Sequence, residues 1–293
     1  EWLGGFLYPD DEIQAKRSGD FSRLAERLKS LLPERILSFP NYPDKHKLES
    51  LLTADELVAY RARLGRMPKV KPEGVLFCLE RGLPHRMRWR IPVERAGAMN
   101  ADVYAIKKTK GRVAVLTSFG GGSPMVMELA EELAVMGTKK MILMTWGGTL
   151  QADLKPGDIV VCNRAIRDEG ASHHYLPPAK YVEADPLLVN ELVNAIRERG
   201  VNCMVGTTWT TDAPYRETRE EVIQYQAEGV KTVEMESAGL FTVGKVRRVQ
   251  TASVVIGMDS LASLRWETPE RLDGIMRSLE IVYAAAIDVL SRA

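Results

Sequence analysis

Apolar residues along this chain follow two regimes that meet near residue 73. Before that point the period is helical. Phe21, Leu24, Leu28 and Leu31 recur at three- and four-residue spacing, and Leu57, Tyr60 and Leu64 repeat the pattern behind a capping box of Thr53 and Glu56. Pro33, Pro40, Pro43, Pro68 and Pro72 interrupt it. The pattern predicts a helical N-terminal extension over residues 1–72, whose apolar stripes need the main domain or a second subunit to cover them. Over residues 73–293, short β-rich apolar runs alternate with amphipathic stretches, the signature of a largely parallel, buried sheet covered by helices. Strands are expected at 75–79, 113–118, 141–145, 158–162, 204–209, 230–235 and 251–256. Helices are expected at 124–136 and 186–199, closed by Gly137 and Gly200, then from about Thr218, where Glu221 completes a second capping box, and from Pro269 toward Arg292.

Charge and cysteine usage narrow the partners. The 293 residues carry 40 Lys plus Arg against 39 Asp plus Glu, so no global positive field draws in nucleic acid or an anionic membrane. An anion site must be local. No run reaches the roughly 18 apolar residues of a membrane span, and Glu1 to Asp11 lacks the basic-then-apolar order of a signal peptide, so a cytoplasmic location is expected. Cys78, Cys162 and Cys203 lie in apolar runs at spacings that fit neither a disulfide framework nor a zinc site, and are expected as buried thiols.

In a parallel α/β sheet ligands bind beyond the strand ends, so the residues after each strand carry the chemistry. Gly120-Gly121-Gly122 precedes a helix start and suits either an anion or a tight ligand-free turn. Gly82 and Arg86 suit a phosphate, but taken alone Arg86, Arg88 and Arg90 fit better a solvated face, the usual fate of a charge run. Glu234 and Glu236 point to one side if their strand continues past Met235, and together they would accept from vicinal hydroxyls. No His or Asp cluster beside them has metal-ligand spacing. Asp259 ends the last apolar strand, as a proton donor or as a turn residue.

Taken in order with Gly157-Asp158-Ile159-Val160-Val161, Ile166 to His174 and Thr211-Asp212-Ala213-Pro214-Tyr215, these segments resemble the purine nucleoside and uridine phosphorylase superfamily over roughly residues 74–291. Val233-Glu234-Met235-Glu236-Ser237 is the most specific of them. The resemblance implies a three-layer α/β/α fold of the phosphorylase/hydrolase-like kind, with a mixed, partly barrelled sheet. It implies a homo-oligomeric enzyme (dimer, trimer or hexamer) that cleaves a purine nucleoside with inorganic phosphate to free base and ribose 1-phosphate, with no other cofactor and no metal. By the same resemblance Glu236 is catalytic and holds the ribose with Met235 and Glu234. Gly82 and Arg86 bind phosphate, Asp259 protonates the base, and Gly147, Gly148, Pro214 and Tyr215 line its pocket. Two positions depart from the pattern: Leu143 and Trp146 stand where phosphorolytic relatives carry an arginine and a small hydroxyl residue. That departure leaves two alternatives, a nucleosidase using water in the same pocket and a non-catalytic nucleoside-binding protein.

Overall fold

Unbroken apolar runs become the centre of one ten-stranded sheet. The computed structural model describes residues 39, 40, 42 and 44–292. The chain divides into two compact units, Glu1–Lys45 and His46–Ala293, and the sheet with its helices belongs to the second. The helix expected around Phe21 to Leu31 lies outside the described residues.

β1 (Gly74–Cys78) lies between β4 (Val113–Thr117) and β5 (Lys140–Thr149), all parallel. Every residue of β1 and β4 is buried, which is why neither sequence alternates. β5 also pairs in parallel with β10 (Gln250–Ser260), and β10 pairs antiparallel with β6 (Ile159–Asp168). From β6 the pairing continues through β8 (Met204–Thr211) to β9 (Thr232–Glu234) and back to β5. Five strands thus close a ring, the partly barrelled region. β3 (Asp102–Ile106) and β2 (Val93–Ala98) extend the open edge beyond β4, and β7 (Tyr181–Glu183) joins β6.

Helices cover both faces, giving the α/β/α layering. α1 (Ala54–Arg63), α3 (Ser123–Val135) and α6 (Ser237–Arg247) pack together on one, with Arg61 of α1 reaching the buried Glu132 of α3. α4 (Pro186–Arg197) and α7 (Asp273–Ser291) pack on the other. The short α2 (Leu83–Met87) follows β1, and α5 (Arg219–Ala227) follows β8. Both capping boxes form, Thr53 with Glu56 and Thr218 with Glu221. All three cysteines are free and buried, and no described helix is long and apolar enough to cross a membrane.

Differences from the expected elements have local causes. β5, β6 and β10 run past their apolar stretches, because closing the ring carries pairing into Thr, Gly and charged residues. β2 and β3 escape the apolar search: β2 is an exposed edge with a register shift at Gly97. α7 starts at Asp273 rather than at Pro269. α6 was unexpected because eight consecutive residues, Ser237 to Gly244, are buried, so the helix has no polar face to set a period.

Gly147 fixes the ring where β9 meets β5. A Cβ there would overlap the Val233 carbonyl oxygen, a backbone atom that cannot swing away. Gly147→Ala is expected to lose about 1–3 kcal/mol of stability, the usual cost of overpacking, measured as a lower urea midpoint at unchanged slope.

Candidate active site

β1, β4, β5 and β10 run parallel, so their C-terminal ends share one edge of the sheet. Gly82 and Arg86 follow β1, Gly120 to Gly122 follow β4, Gly147 and Gly148 lie in β5, and Asp259 lies in β10. β9 arrives beside β5 from the opposite direction, with Val233 opposite Gly148. The residues after it therefore move back along β5 toward Thr145.

The strand stops at Glu234, and this corrects the extended reading of residues 230–235. Glu236 is already the N-cap of α6, with φ −128° and ψ −34°, so the two carboxylates do not share a strand face. Their partners differ accordingly. Glu234 Oε2 accepts the N–H groups of Glu236 (2.8 Å) and Ser237 (2.7 Å), while Oε1 accepts the hydroxyls of Thr210 (2.6 Å) and Thr208 (3.4 Å). Four donors saturate a carboxylate, so Glu234 is committed to holding the backbone of Glu236 and Ser237 and the β8 threonines.

Glu236 keeps more capacity. Its Oε1 accepts the Gly122 N–H at 2.7 Å, and its Oε2 takes only two long bonds, from the Thr145 hydroxyl and the Met235 N–H, both 3.3 Å. The glycines are required here: Gly122 has φ 98°, and a Cβ on Gly121 would lie 3.3 Å from Glu236 Oε1. Only 3% of Glu236 is exposed. Burial, followed by the Glu234 charge, pushes its carboxyl up to about 7. Burial raises Glu234 as well, but its donors at a helix N-terminus make it the better holder of the charge the pair shares. Half-buried Met235 is fixed between them, its carbonyl accepting from the Ser123 hydroxyl at 3.2 Å.

Asp259 stands beside Gly148, whose absent Cβ would lie 3.6 Å from Oδ1. Its Oδ2 accepts the indole N–H of Trp266 at 2.6 Å. The half-buried Glu217 carboxyl nearby is pushed up to about 7, by burial first and then by the charges of Asp259 and Glu221. Pro214 and Tyr215 sit in a single turn of 3-10 helix, and Tyr215 is fully exposed (100%). Arg86 pairs with Glu280 of α7 at 2.6 Å, and Gly82 donates its N–H to Glu80 at 3.1 Å. Leu143 lies wholly inside the main core, and Trp146, on the opposite face of β5 from Thr145, packs against that core at its edge.

The structure thus brings Gly121, Gly122, Thr145, Met235 and Glu236 together, with Gly148, Asp259, Glu217 and Trp266 as a second group. Thr145, Glu217 and Trp266 were missed from the sequence. Alternation along β5 would have found Thr145 once Glu236 was placed opposite; Glu217 and Trp266 lie in loops whose path no period reveals. Among the described residues no group of three or more His, Cys, Asp or Glu side chains is arranged to hold a metal ion.

Comparison with known proteins identifies the family. At the level of sequence, the chain is 30% identical over 147 residues to the uridine phosphorylase of Haemophilus influenzae, a match covering 45% of this chain and 58% of that one. It is 30% identical over 196 residues to the purine nucleoside phosphorylase of Plasmodium vivax (62% of this chain, 79% of that one) and 28% identical over 178 residues to the guanosine phosphorylase of Halorubrum lacusprofundi (58% and 74%). A crystal structure of uridine phosphorylase from Vibrio fischeri ES114 superposes with TM-score 0.63 at 25% identity, covering 75% of this chain and 90% of that one. The family model of the phosphorylase superfamily matches residues 87–292, and the chain therefore belongs to that superfamily.

Proposed function

We propose that this chain cleaves the N-glycosidic bond of a purine nucleoside with phosphate as the acceptor, releasing free base and ribose 1-phosphate. The observation that carries the reading is the buried Glu236, seated on the Gly122 N–H with Oε2 weakly committed. Its ionised form accepts the ribose hydroxyls. Asp259, one strand away on β10, gives its proton to the base as the C–N electron pair withdraws into the ring. The oxocarbenium-like sugar then takes an oxygen of phosphate. Relatives named as phosphorylases of purine nucleosides, guanosine and uridine support the class. The acidic Asp259 and Glu217 at the base end favour a purine, whose N7 accepts a proton.

A second reading, with water as the acceptor, is favoured by the buried Leu143 and by the Arg86–Glu280 pair. For phosphate to be used, Arg86 must exchange Glu280 for it. An exposed ion pair is worth about 0–1 kcal/mol, whereas a hydrogen bond to a charged group contributes about 1.5–3 kcal/mol, so the exchange is favourable but supplies a single guanidinium.

Glu236→Gln is expected to lower turnover about 100-fold or more while the fold persists, because the lost contact strengthens in the transition state. In the wild type, activity should rise with pH through about 7 as Glu236 ionises, and the variant should lack that limb. The stability sign is opposite. A raised acid pKa penalises the charged form, so Glu236 makes the fold less stable as pH rises from the ordinary carboxylate range through about 7, and melting curves of the variant should show a flatter decline.

Asp259→Asn should slow purine nucleosides about 100-fold or more and spare a riboside with an activated leaving group, which needs no proton. Equal losses on both substrates would make Asp259 structural.

Initial rates against phosphate concentration decide the acceptor. Phosphorolysis should saturate weakly, give ribose 1-phosphate and lose its phosphate dependence in Arg86→Ala. Free ribose released at the same rate in phosphate-free buffer would establish water instead.

A further inference from the structure

Beyond β10 the chain makes a hairpin that none of the sequence motifs covers. Ser260 and Glu267 exchange both backbone hydrogen bonds, each 2.9 Å, and so close residues 261–266 into a loop. Three more bonds pin it: the Leu261 N–H to the Thr149 carbonyl (2.9 Å), Gln226 Nε2 to the Ala262 carbonyl (3.0 Å), and the Ser263 hydroxyl to Glu267 Oε1 (2.7 Å). Leu264 adopts φ 60°, a left-handed conformation unfavourable for a leucine, and is held there by packing on the smaller core cluster of Trp209, Val222 and Tyr225. A loop so constrained presents its last side chain in a fixed place.

That side chain is Trp266. Its indole N–H, the only polar hydrogen it has, is spent on Asp259 Oδ2 at 2.6 Å, yet 71% of the residue stays exposed. Its hydrogen-bonding edge is therefore satisfied while most of its ring surface lacks cover. Gly148 lies on the Asp259 side without a side chain, where a Cβ would meet Val233 Cγ1 at 3.1 Å and Asp259 Oδ1 at 3.6 Å. Aromatic surface, a carboxyl and a bare glycine are what a flat heteroaromatic ring with a proton-accepting nitrogen requires.

We propose that Trp266 is a positioning and specificity-determining residue of this site: its indole N–H holds the Asp259 carboxyl, and its exposed ring stacks on the purine base. The inference rests on the nucleoside-cleaving reading given above. In the step it serves, the proton leaves Asp259 Oδ1 for the base nitrogen, the C–N electron pair passes to the base, and Asp259 becomes a carboxylate. A donor on Oδ2 bonds a carboxylate more strongly than a carboxylic acid, so the indole N–H favours the transition state over the ground state. Stacking acts earlier, on binding, and grows with the apolar ring area that is covered, which is larger for a fused base than for a single ring.

Two variants of the full chain separate the roles. Trp266→Phe keeps a ring and removes the N–H; Trp266→Ala removes both. Each is assayed with a purine nucleoside, with a riboside carrying an activated leaving group, and by calorimetry for affinity to the free purine base. Trp266→Phe should lose about 10-fold in kcat on the purine nucleoside, spare the activated riboside and keep base affinity within about threefold. Trp266→Ala should in addition weaken base binding roughly 10- to 100-fold. The side chain is exposed, so both variants should melt with the wild type. A wild type that turns over purine nucleosides, with Trp266→Ala equal to it in base affinity and rate, overturns this inference alone. Equal losses on both substrates in both variants also overturn it, by making the loop merely structural. A wild type that neither binds purine nor cleaves its nucleosides overturns the nucleoside reading and this inference with it.

Discussion

One carboxylate sets the geometry of the site, and it is Glu234. Buried at the end of β9, it takes the first two free N–H groups of α6 on one oxygen and two β8 threonine hydroxyls on the other. A helix start that cannot reach water must find acceptors, and an anion there also meets the favourable end of the helix dipole. Those bonds join β8, β9 and α6 at one point. They also decide where Glu236 lies, since its backbone N–H is one of the four donors. Removing Glu234 would leave two helix N–H groups and the Thr210 hydroxyl without their acceptor in the interior, each costing on the order of 1–3 kcal/mol, while the Thr208 hydroxyl keeps the Thr232 carbonyl.

The rest of the site follows from that anchor. With its backbone fixed, Glu236 projects toward the glycine loop after β4, where Gly122, at a φ of 98° that favours glycine, donates its N–H at 2.7 Å. Burial beside Glu234 then makes its ionisation fall near neutrality, so the geometry that aims the carboxylate also tunes it. The group around Asp259 is built differently. Asp259 comes from β10, Glu217 from the turn after β8, and Trp266 from a hairpin held by backbone bonds, so its precision depends on the closure of the five-stranded ring.

Much of this was legible in the chain. Apolar runs located the central strands because parallel strands buried on both faces cannot alternate, and the glycines and capping boxes bounded the helices that have one polar face. The Glu-Met-Glu segment pointed to two carboxylates that the structure buries side by side, but not to their different partners. Period-two reasoning assumes that a strand continues, and here it stops between the two acids because a helix begins whose first eight residues are all buried; such a stretch leaves no periodic trace. Arg86 was legible as a basic group beside a sheet end, but its partner, Glu280, lies 194 residues further on, and no local pattern announces a pairing at that distance.

Packing limits which basic groups can reach the end of β5. Leu143 shares its strand face with Thr145, two residues closer to the sheet end, but it is itself fully buried in the main core between β1 and β10. An arginine there would have to extend past Thr145 to reach an anion. Otherwise it would leave a guanidinium in the interior without a counter-ion, a cost of several kcal/mol. The core has closed around a leucine, Trp146 fills volume at the edge of β5, and the arginine after β1 already pairs with Glu280. These three features are independent of one another. Substituting any one residue therefore leaves the other two in place, so no single change at this end of β5 frees a second guanidinium to meet an anion beside Thr145.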